Sequence, residues 1–421
     1  MLLHCDDVSA PTAGVLEDLF RRESARVVGM LVRMLGNLDR AEEIFQETLV
    51  AAMEHWPGSG IPDNPGAWLS TVARNRALDE GRRDRLHRSK HEALAREQKL
   101  EVGIARELPL PEAIPDDRLR LVFTCCHPAL SRESQIAITL RLVCGLTTAE
   151  IARAFLVSEP TIAQRLVRAK RTIQERKLPY AVPDTADLPE RLTAVLAVVY
   201  LVFNEGYSAT DGAALVRVDL VREAIHLGRV LAELMAEEPE VHGLVALMEL
   251  QASRAAARAD AEGNLVVLED QDRRRWDRER IARGLVHLGR ARAGQMPGPY
   301  RLQAEIAACH AAAATWAVTD WRRIAALYTE LAQYAPSPVV ELNRAVAVGM
   351  VEGPAAGLAL VDRLAELPAL RDYHLLPATR ADFLRRLERW PEARAEYERA
   401  LALARNRREQ DFLARRLAEC G

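Results

Sequence analysis

Apolar residues recur at helical spacing along most of this chain, and clusters of proline and glycine cut the pattern into blocks. Leu16, Leu19 and Phe20, then Val27, Val28 and Leu31, fall on one helical face. Gly36-Asn37 breaks that face. Asp39 is then expected to cap a second helix, with Glu42 three residues on as in a capping box, and that helix runs to about Trp56. The stretch from Pro57 to Gly66 holds three prolines and three glycines and reads as a loop. A third helix is predicted from Ala67 to about Leu86. Residues 89–115 are charged and then carry Pro109, Pro111 and Pro115, the composition of a linker. Periodicity resumes at Asp117 and holds to Leu178; Pro179 and Pro183 follow, and 185–421 reads as helical throughout. Ala, Leu, Arg and Glu dominate and only 5% of residues are aromatic, so the predicted class is all-α. A chain of 421 residues exceeds one ordinary core and implies two to four domains.

The net charge of -3 carries no nucleic-acid signal, but its distribution does. Between Arg118 and Lys177 stand eleven Lys or Arg against four Asp or Glu, a local excess of +7. Such a basic surface is what phosphate binding requires. The six cysteines show no CxxC spacing, so neither a zinc site nor a disulfide framework is suggested; Cys125-Cys126-His127 reads as small buried hydrophobes on a helix. The apolar run Leu192–Phe203 is too short to cross a bilayer, and no leader is visible, so a cytoplasmic protein without metal or cofactor is expected.

The sharpest local pattern lies between Gly145 and Ile173. Leu146, Ile151, Ala152 and Phe155 form one apolar face, preceded by Thr147 and Thr148, either of which can cap the helix. Leu156-Val157-Ser158 makes a turn, and Ser158 caps a second helix with Pro160 just inside it. Ile162, Leu166, Ala169 and Ile173 face inward, leaving Thr161, Gln164, Arg165, Arg168 and Arg171 outward. This is a helix-turn-helix, whose second helix opens with groups that reach base edges and continues with cations for phosphates. A charged hairpin that only faces solvent has a similar pattern.

On these residues the chain resembles the extracytoplasmic-function (ECF) sigma factors of RNA polymerase. Asp39-Arg40-Ala41-Glu42-Glu43-Ile44-Phe45-Gln46-Glu47 is similar to the acidic region 2 helix of that family. Trp68-Leu69 followed by Ala73-Arg74-Asn75-Arg76-Ala77-Leu78-Asp79 resembles its promoter-melting and minus-10 helix, and the helix-turn-helix resembles region 4, which reads the minus-35 element. Many members have Leu-Gly in the turn where this chain has Phe155-Leu156. The segments Asp116–Leu130 and Tyr200–Tyr207 resemble the ECF group that carries a TPR-like C-terminal domain.

The resemblance implies residues 1–88 as region 2, 89–115 as linker, 116–178 as region 4 and 185–421 as a TPR-like regulatory domain. It assigns Asp39, Glu42, Glu43, Gln46 and Glu47 to docking on core RNA polymerase, although such a run is also what a solvated face looks like. It assigns Asn64, Trp68, Arg74, Asn75, Arg76, Arg82 and Arg83 to the melted minus-10 element, with Trp68 equally readable as core. Thr161, Gln164, Arg165, Arg168 and Arg171 would face the minus-35 DNA. A good copy built on Ala381, Leu384, Ala393, Tyr397 and Ala400 is preceded by looser copies at Ala345, Val348, Gly357, Val361 and Leu364 and at Ala312, Thr315, Ile324, Tyr328 and Leu331, which suit stacked helical hairpins, although Ala/Leu periodicity in a helical bundle gives a similar pattern. That domain is expected to contact the sigma domains or the polymerase in cis. The alternative is a helix-turn-helix regulator with a TPR sensor, which leaves residues 15–90 unexplained. An enzyme is not expected: His226, His242, His287, His310 and His374 show no HExxH spacing, and Asn204-Glu205-Gly206-Tyr207 reads as a helix end or a pocket wall.

Overall fold

The computed structural model describes the backbone of residues 10–95, 115–155, 157–207, 218–294 and 296–421, with side chains from Glu23 onward except 81, 83–95, 115–116 and 153–154. The described residues are helical apart from loops, short 3-10 turns and one isolated bridge between Ala259 and Leu265. The chain divides into two compact units, Met1–Val198 and Val199–Gly421.

The first unit holds α1 (Ala10–Leu35), α2 (Leu38–Ser59), α3 (Pro65–Ala95), α4 (Pro115–Cys125), α5 (Arg132–Leu142), α6 (Thr148–Ala154), α7 (Glu159–Glu175) and the start of α8 (Leu188–Tyr207). Helix α1 packs on α2, α3 and α4, while α7 packs on α5 and α6. Phe45, Trp56, Phe123 and Ile138 are fully buried in this unit. Cys125 and Cys126 are buried too, and burial pushes both thiols above their ordinary range, Cys126 to about 11.

Three local expectations need correction. Asn37, not Asp39, caps α2, its side chain accepting from Arg40 N at 3.0 Å. The cap sits at the residue whose φ and ψ are extended, which leaves Asp39 inside the first turn. The loop is shorter than Pro57–Gly66, because Pro57 lies inside α2 and Pro65-Gly66 opens α3. The linker does not begin at 89: α3 continues to Ala95, and 96–114 lie outside the described residues.

The second unit holds the rest of α8 followed by α9 (Val218–Leu234), α10 (Pro239–Ala252), α11 (Arg278–Ala291), α12 (Pro299–Ala312), α13 (Trp321–Tyr334), α14 (Pro338–Glu352), α15 (Pro354–Leu364), α16 (Leu375–Arg386), α17 (Trp390–Leu403) and α18 (Arg407–Ala418). From α12 onward each helix packs on the next. Ala381, Leu384, Ala393, Tyr397 and Ala400 are all buried, as are Ala345, Gly357 and Val361, whereas Ala312 and Thr315 are exposed. The earliest repeat therefore keeps only its second helix, because residues 313–320 form a long connection. Phe383 explains two glycines: a Cβ at Gly349 or Gly357 would lie 2.5 or 2.4 Å from its ring.

Polar anchors fix the start of this unit. Fully buried Glu249 receives Arg229 from α9 and Arg280 and Arg283 from α11, the last two at 3.1 and 3.5 Å. His242 Nε2 donates to the Ala236 carbonyl at 2.8 Å, which leaves its Nδ1 as the acceptor for His287 Nδ1–H at 3.0 Å. Burial, then the neighbouring His242 and Arg290, push His287 down to about 4. The unfolded ring titrates near 6.5, so between about pH 6.5 and 4 the unfolded chain takes up a proton that the folded unit refuses. The second unit should therefore lose stability as pH falls through that window. Urea titrations at about pH 7.5 and 5 should show a drop in midpoint that His287→Gln reduces; an identical drop in the variant would contradict this origin.

Candidate nucleic-acid interface

The two helices of the helix-turn-helix are built from local hydrogen bonds. Thr147 Oγ1 accepts from Glu150 N at 3.2 Å, and Glu150 Oε2 accepts from Thr147 N at 2.7 Å, a reciprocal capping box that starts α6. Ser158 occupies the N-cap of α7, but its hydroxyl bonds Thr161 Oγ1 at 2.8 Å rather than a backbone N–H. In the turn, Phe155 has no positive φ, and Leu156 lies outside the described residues.

Ile162, Leu166 and Ala169 bury one face of α7. Gln164 and Arg168 stand exposed on the opposite face, with Thr161 and Arg165 half-buried beside them. Arg171 is exposed and held by Glu175 at 2.7 Å. An apolar stripe with amide and guanidinium groups opposite is the arrangement that enters a major groove.

The second candidate surface lies on α2 and α3. Asn64 caps α3, its Oδ1 accepting from Ala67 N at 3.0 Å, while the residue stays exposed. Trp68 is half-buried and meets Trp56 edge-on, ring centroids 5.4 Å apart, so it belongs partly to the α2–α3 core. Asn75 and Arg82 are exposed; Arg74 is half-buried; Arg76 donates to Glu47 Oε2 at 2.9 Å. The side chain of Arg83 lies outside the described residues. On α2, Glu43 is 60% exposed and pairs with Arg40, which also forks onto Glu80 of α3 at 2.6 and 2.7 Å. Those two acids, Glu80 first, raise the Arg40 pKa. Gln46 and Glu47 are half-buried.

Sequence reasoning missed what joins these surfaces. Glu42 is only 14% exposed because Arg141 of α5 donates to its Oε1 at 2.9 Å and Lys170 of α7 reaches its Oε2 at 2.8 Å. Lys170 also pairs with Asp39 at 2.9 Å. Burial disfavours the Lys170 charge, but Glu42 and Asp39 outweigh it and hold its pKa above the ordinary lysine value. Arg33 Nε of α1 makes a bifurcated bond to both carboxylate oxygens of buried Asp117 of α4, at 3.0 and 2.9 Å. The Tyr180 hydroxyl lies 2.8 Å from the Gly29 carbonyl and 2.9 Å from that of Asp117, and Ser24 Oγ donates to Leu142 O at 3.0 Å. A Cβ on Gly29 would stand 2.9 Å from the Asp117 carbonyl oxygen. The partners are between 63 and 151 residues apart, beyond the reach of any periodicity.

Two family models match the same elements: Sigma-70 region 2 at residues 19–86 and Sigma-70, region 4, at 120–173. The ECF RNA polymerase sigma factor SigL of Mycobacterium tuberculosis is 31% identical over 177 residues, 40% of this chain and 93% of its own length. The chain belongs to the ECF RNA polymerase sigma factors. It therefore directs transcription initiation, a role that entails association with core RNA polymerase and promoter DNA. SigK of Mycobacterium ulcerans is similar over 153 residues at 29% identity, covering 35% of this chain and 78% of its own. An uncharacterized protein of Rhizobium meliloti is 46% identical over 397 residues, 93% of this sigma factor and 92% of the relative, so the two share the C-terminal unit as well. Residues 191–292 match a family of unknown function, DUF6596. No helix among the described residues is long and apolar enough to cross a membrane.

The clasp has a measurable weight. Arg141→Gln with Lys170→Gln strands the shielded Glu42 carboxylate, and breaking a largely buried ion pair costs about 1–3 kcal/mol at this degree of exposure. The first transition in urea should move to lower concentration, and adding Glu42→Gln should recover much of the loss. A double variant as stable as the parent would show that the clasp contributes nothing.

Proposed function

We propose that α7 reads the minus-35 element, that α3 with the Asn64 loop engages the melted minus-10 strand, and that the acidic face of α2 docks on core RNA polymerase. The observation that carries this reading is the division of α7 into a buried Ile162, Leu166 and Ala169 stripe and a face bearing Gln164, Arg165 and Arg168. Gln and Arg make two hydrogen bonds to adenine and guanine edges, and the flanking cations neutralise phosphates. On α3 Asn75 and Arg82 are exposed to meet nucleic acid, Arg82 beside Asp79 at 3.5 Å, while Asn64 offers amide donors and an acceptor beside the helix it caps.

Docking through α2 starts from a partly occupied face. Glu42 is shielded by Arg141 and Lys170, and Lys170 also holds Asp39, whereas Glu43 and Asp39 remain the more accessible carboxylates of this face. Full use of the acidic face requires α2 to part from α5 and α7. The second unit, with its hairpins of TPR-like spacing at α14–α15 and α16–α17, is the regulatory part that sets this activity.

Run-off transcription with core enzyme, on promoters selected by the holoenzyme from random DNA, tests the α7 assignment. Gln164→Ala and Arg165→Ala should each weaken promoter binding by about 1–3 kcal/mol and relax preference at one position. Arg168→Ala should weaken all sequences alike and flatten the salt dependence. Unchanged transcription from all three would remove α7 from the interface. Ending the chain after Val198 keeps the first compact unit whole and should change promoter-specific transcription at equal folded protein; an identical yield would leave the second unit without a regulatory role.

A further inference from the structure

Two cavities of about 400 and 420 Å³ adjoin in the second unit and share Leu268, His310, Tyr328 and Asn343 in their walls. Each is the size of a small-ligand site. One is aromatic: Trp316 and Trp321 meet edge-on at 4.6 Å between centroids, and the His310 ring stacks on Trp316 at 6.4 Å. The other is polar along one side, where Asn204, Gln251, Gln303 and Arg254 line it with Tyr200.

Arg254 lines the polar cavity, with Arg258 and Arg273 near it but in neither cavity's lining; Glu409 acts on Arg258, and Glu269 and Asp382 line the aromatic cavity. The Arg254 guanidinium lies 5.8 Å from the Trp276 ring. Arg273 lies 4.9 Å over the same ring and donates to the carbonyls of His310 and Ala313, each at 2.6 Å, and to Thr319 Oγ1 at 3.2 Å. Arg258 covers the Tyr207 ring at 4.2 Å and donates to the Tyr207 carbonyl. Among the described residues none of these three arginines forms an ion pair. Elsewhere in the unit buried charges are matched, as Glu249 is by three arginines and Glu305 by Arg292. Burial, followed by Arg254 and Arg273, pushes His310 down to about 3, so the ring stays neutral and adds no charge. Its Nδ1 has no hydrogen-bond partner among the described residues.

We propose that this double cavity is a binding site for a small aromatic carboxylate, its anionic group on Arg254 and the flanking amides and its ring against Trp316, Trp321 and Tyr328. An uncompensated guanidinium at a half-buried wall gains most from a carboxylate, which it can hold by two parallel bonds. The side-chain amides supply further donors to the same oxygens. Polar phosphate-type ligands would leave the tryptophan end unfilled. Tyr200 and Asn204 stand on the part of α8 that belongs to the second unit. A role for this site in transcription rests on the reading of the second unit as regulatory.

Calorimetric titration of the full-length protein with phenylacetate and indole-3-acetate, with their neutral amides and inorganic phosphate as controls, tests the site itself. The carboxylates should bind at least about tenfold tighter than the amides, the ratio expected for one charge-assisted contact. Arg254→Leu should remove that preference, Arg254→Lys should retain part of it, and Trp316→Leu should weaken carboxylate and amide alike. Unchanged circular dichroism and urea midpoint establish that each variant folds. Equal binding of acid and amide, preference for phosphate, no heat from either acid, or an unaltered preference in Arg254→Leu would each overturn the proposal. Run-off transcription with and without the bound acid then separates the two readings. Binding without any change in transcription leaves the site standing and sinks its regulatory role; a response to truncation after Val198 without binding does the reverse.

Discussion

The arrangement of the sigma unit depends on Glu42, a carboxylate of α2 gripped by Arg141 from α5 and Lys170 from α7. Charges withdrawn from water lose much of their hydration, and their mutual attraction returns only part of it. Each member of the clasp can regain its hydration when the helices part. The clasp therefore fixes register more than it adds stability, and a partner offering equivalent charges can displace it at modest cost. The neutral contacts beside it point the same way: Gly29 admits the Asp117 carbonyl, and Tyr180 bonds both backbones with one hydroxyl.

The clasp gives one residue two meanings. As part of an acidic run, Glu42 reads as a docking charge; in the folded unit it is a largely shielded anchor whose neighbour Glu43 keeps the exposure. Lys170 is the counterpart on α7. It counts toward the basic excess of the helix-turn-helix, yet it faces α2 rather than solvent, so part of that excess is spent inside the protein. On the outward face of α7, Arg165 and Arg168 carry the remaining charge, with Arg171 drawn toward Glu175.

What could be read from the sequence is what short-range rules decide. The all-α class, the α6–α7 turn and the buried stripe of α7 follow from periodicity and caps within a few residues. The cap falls on Asn37 rather than the expected Asp39 because of backbone angles, which residue type does not specify. The extension of α3 to Ala95 was obscured by its charge, although Arg, Lys, Glu, Ala and Leu are all good helix formers. The convergence on Glu42, the three arginines on Glu249 and the cavity beside Arg254 join residues from separate helices, and no local pattern encodes them. Asn204 fits both readings of its segment: it lies near the end of α8 and on a cavity wall, and only the α10 and α12 residues opposite it show that the two go together.

The central claim is that the acidic face of α2 is held closed by α5 and α7 and is released when the sigma factor joins the polymerase. A donor and an acceptor fluorophore at the exposed Val50 of α2 and Val167 of α7 report that separation directly. The account predicts efficient energy transfer in the free protein and a marked loss of transfer in a holoenzyme that initiates transcription. The same transfer efficiency in the free protein and in an active holoenzyme would contradict it.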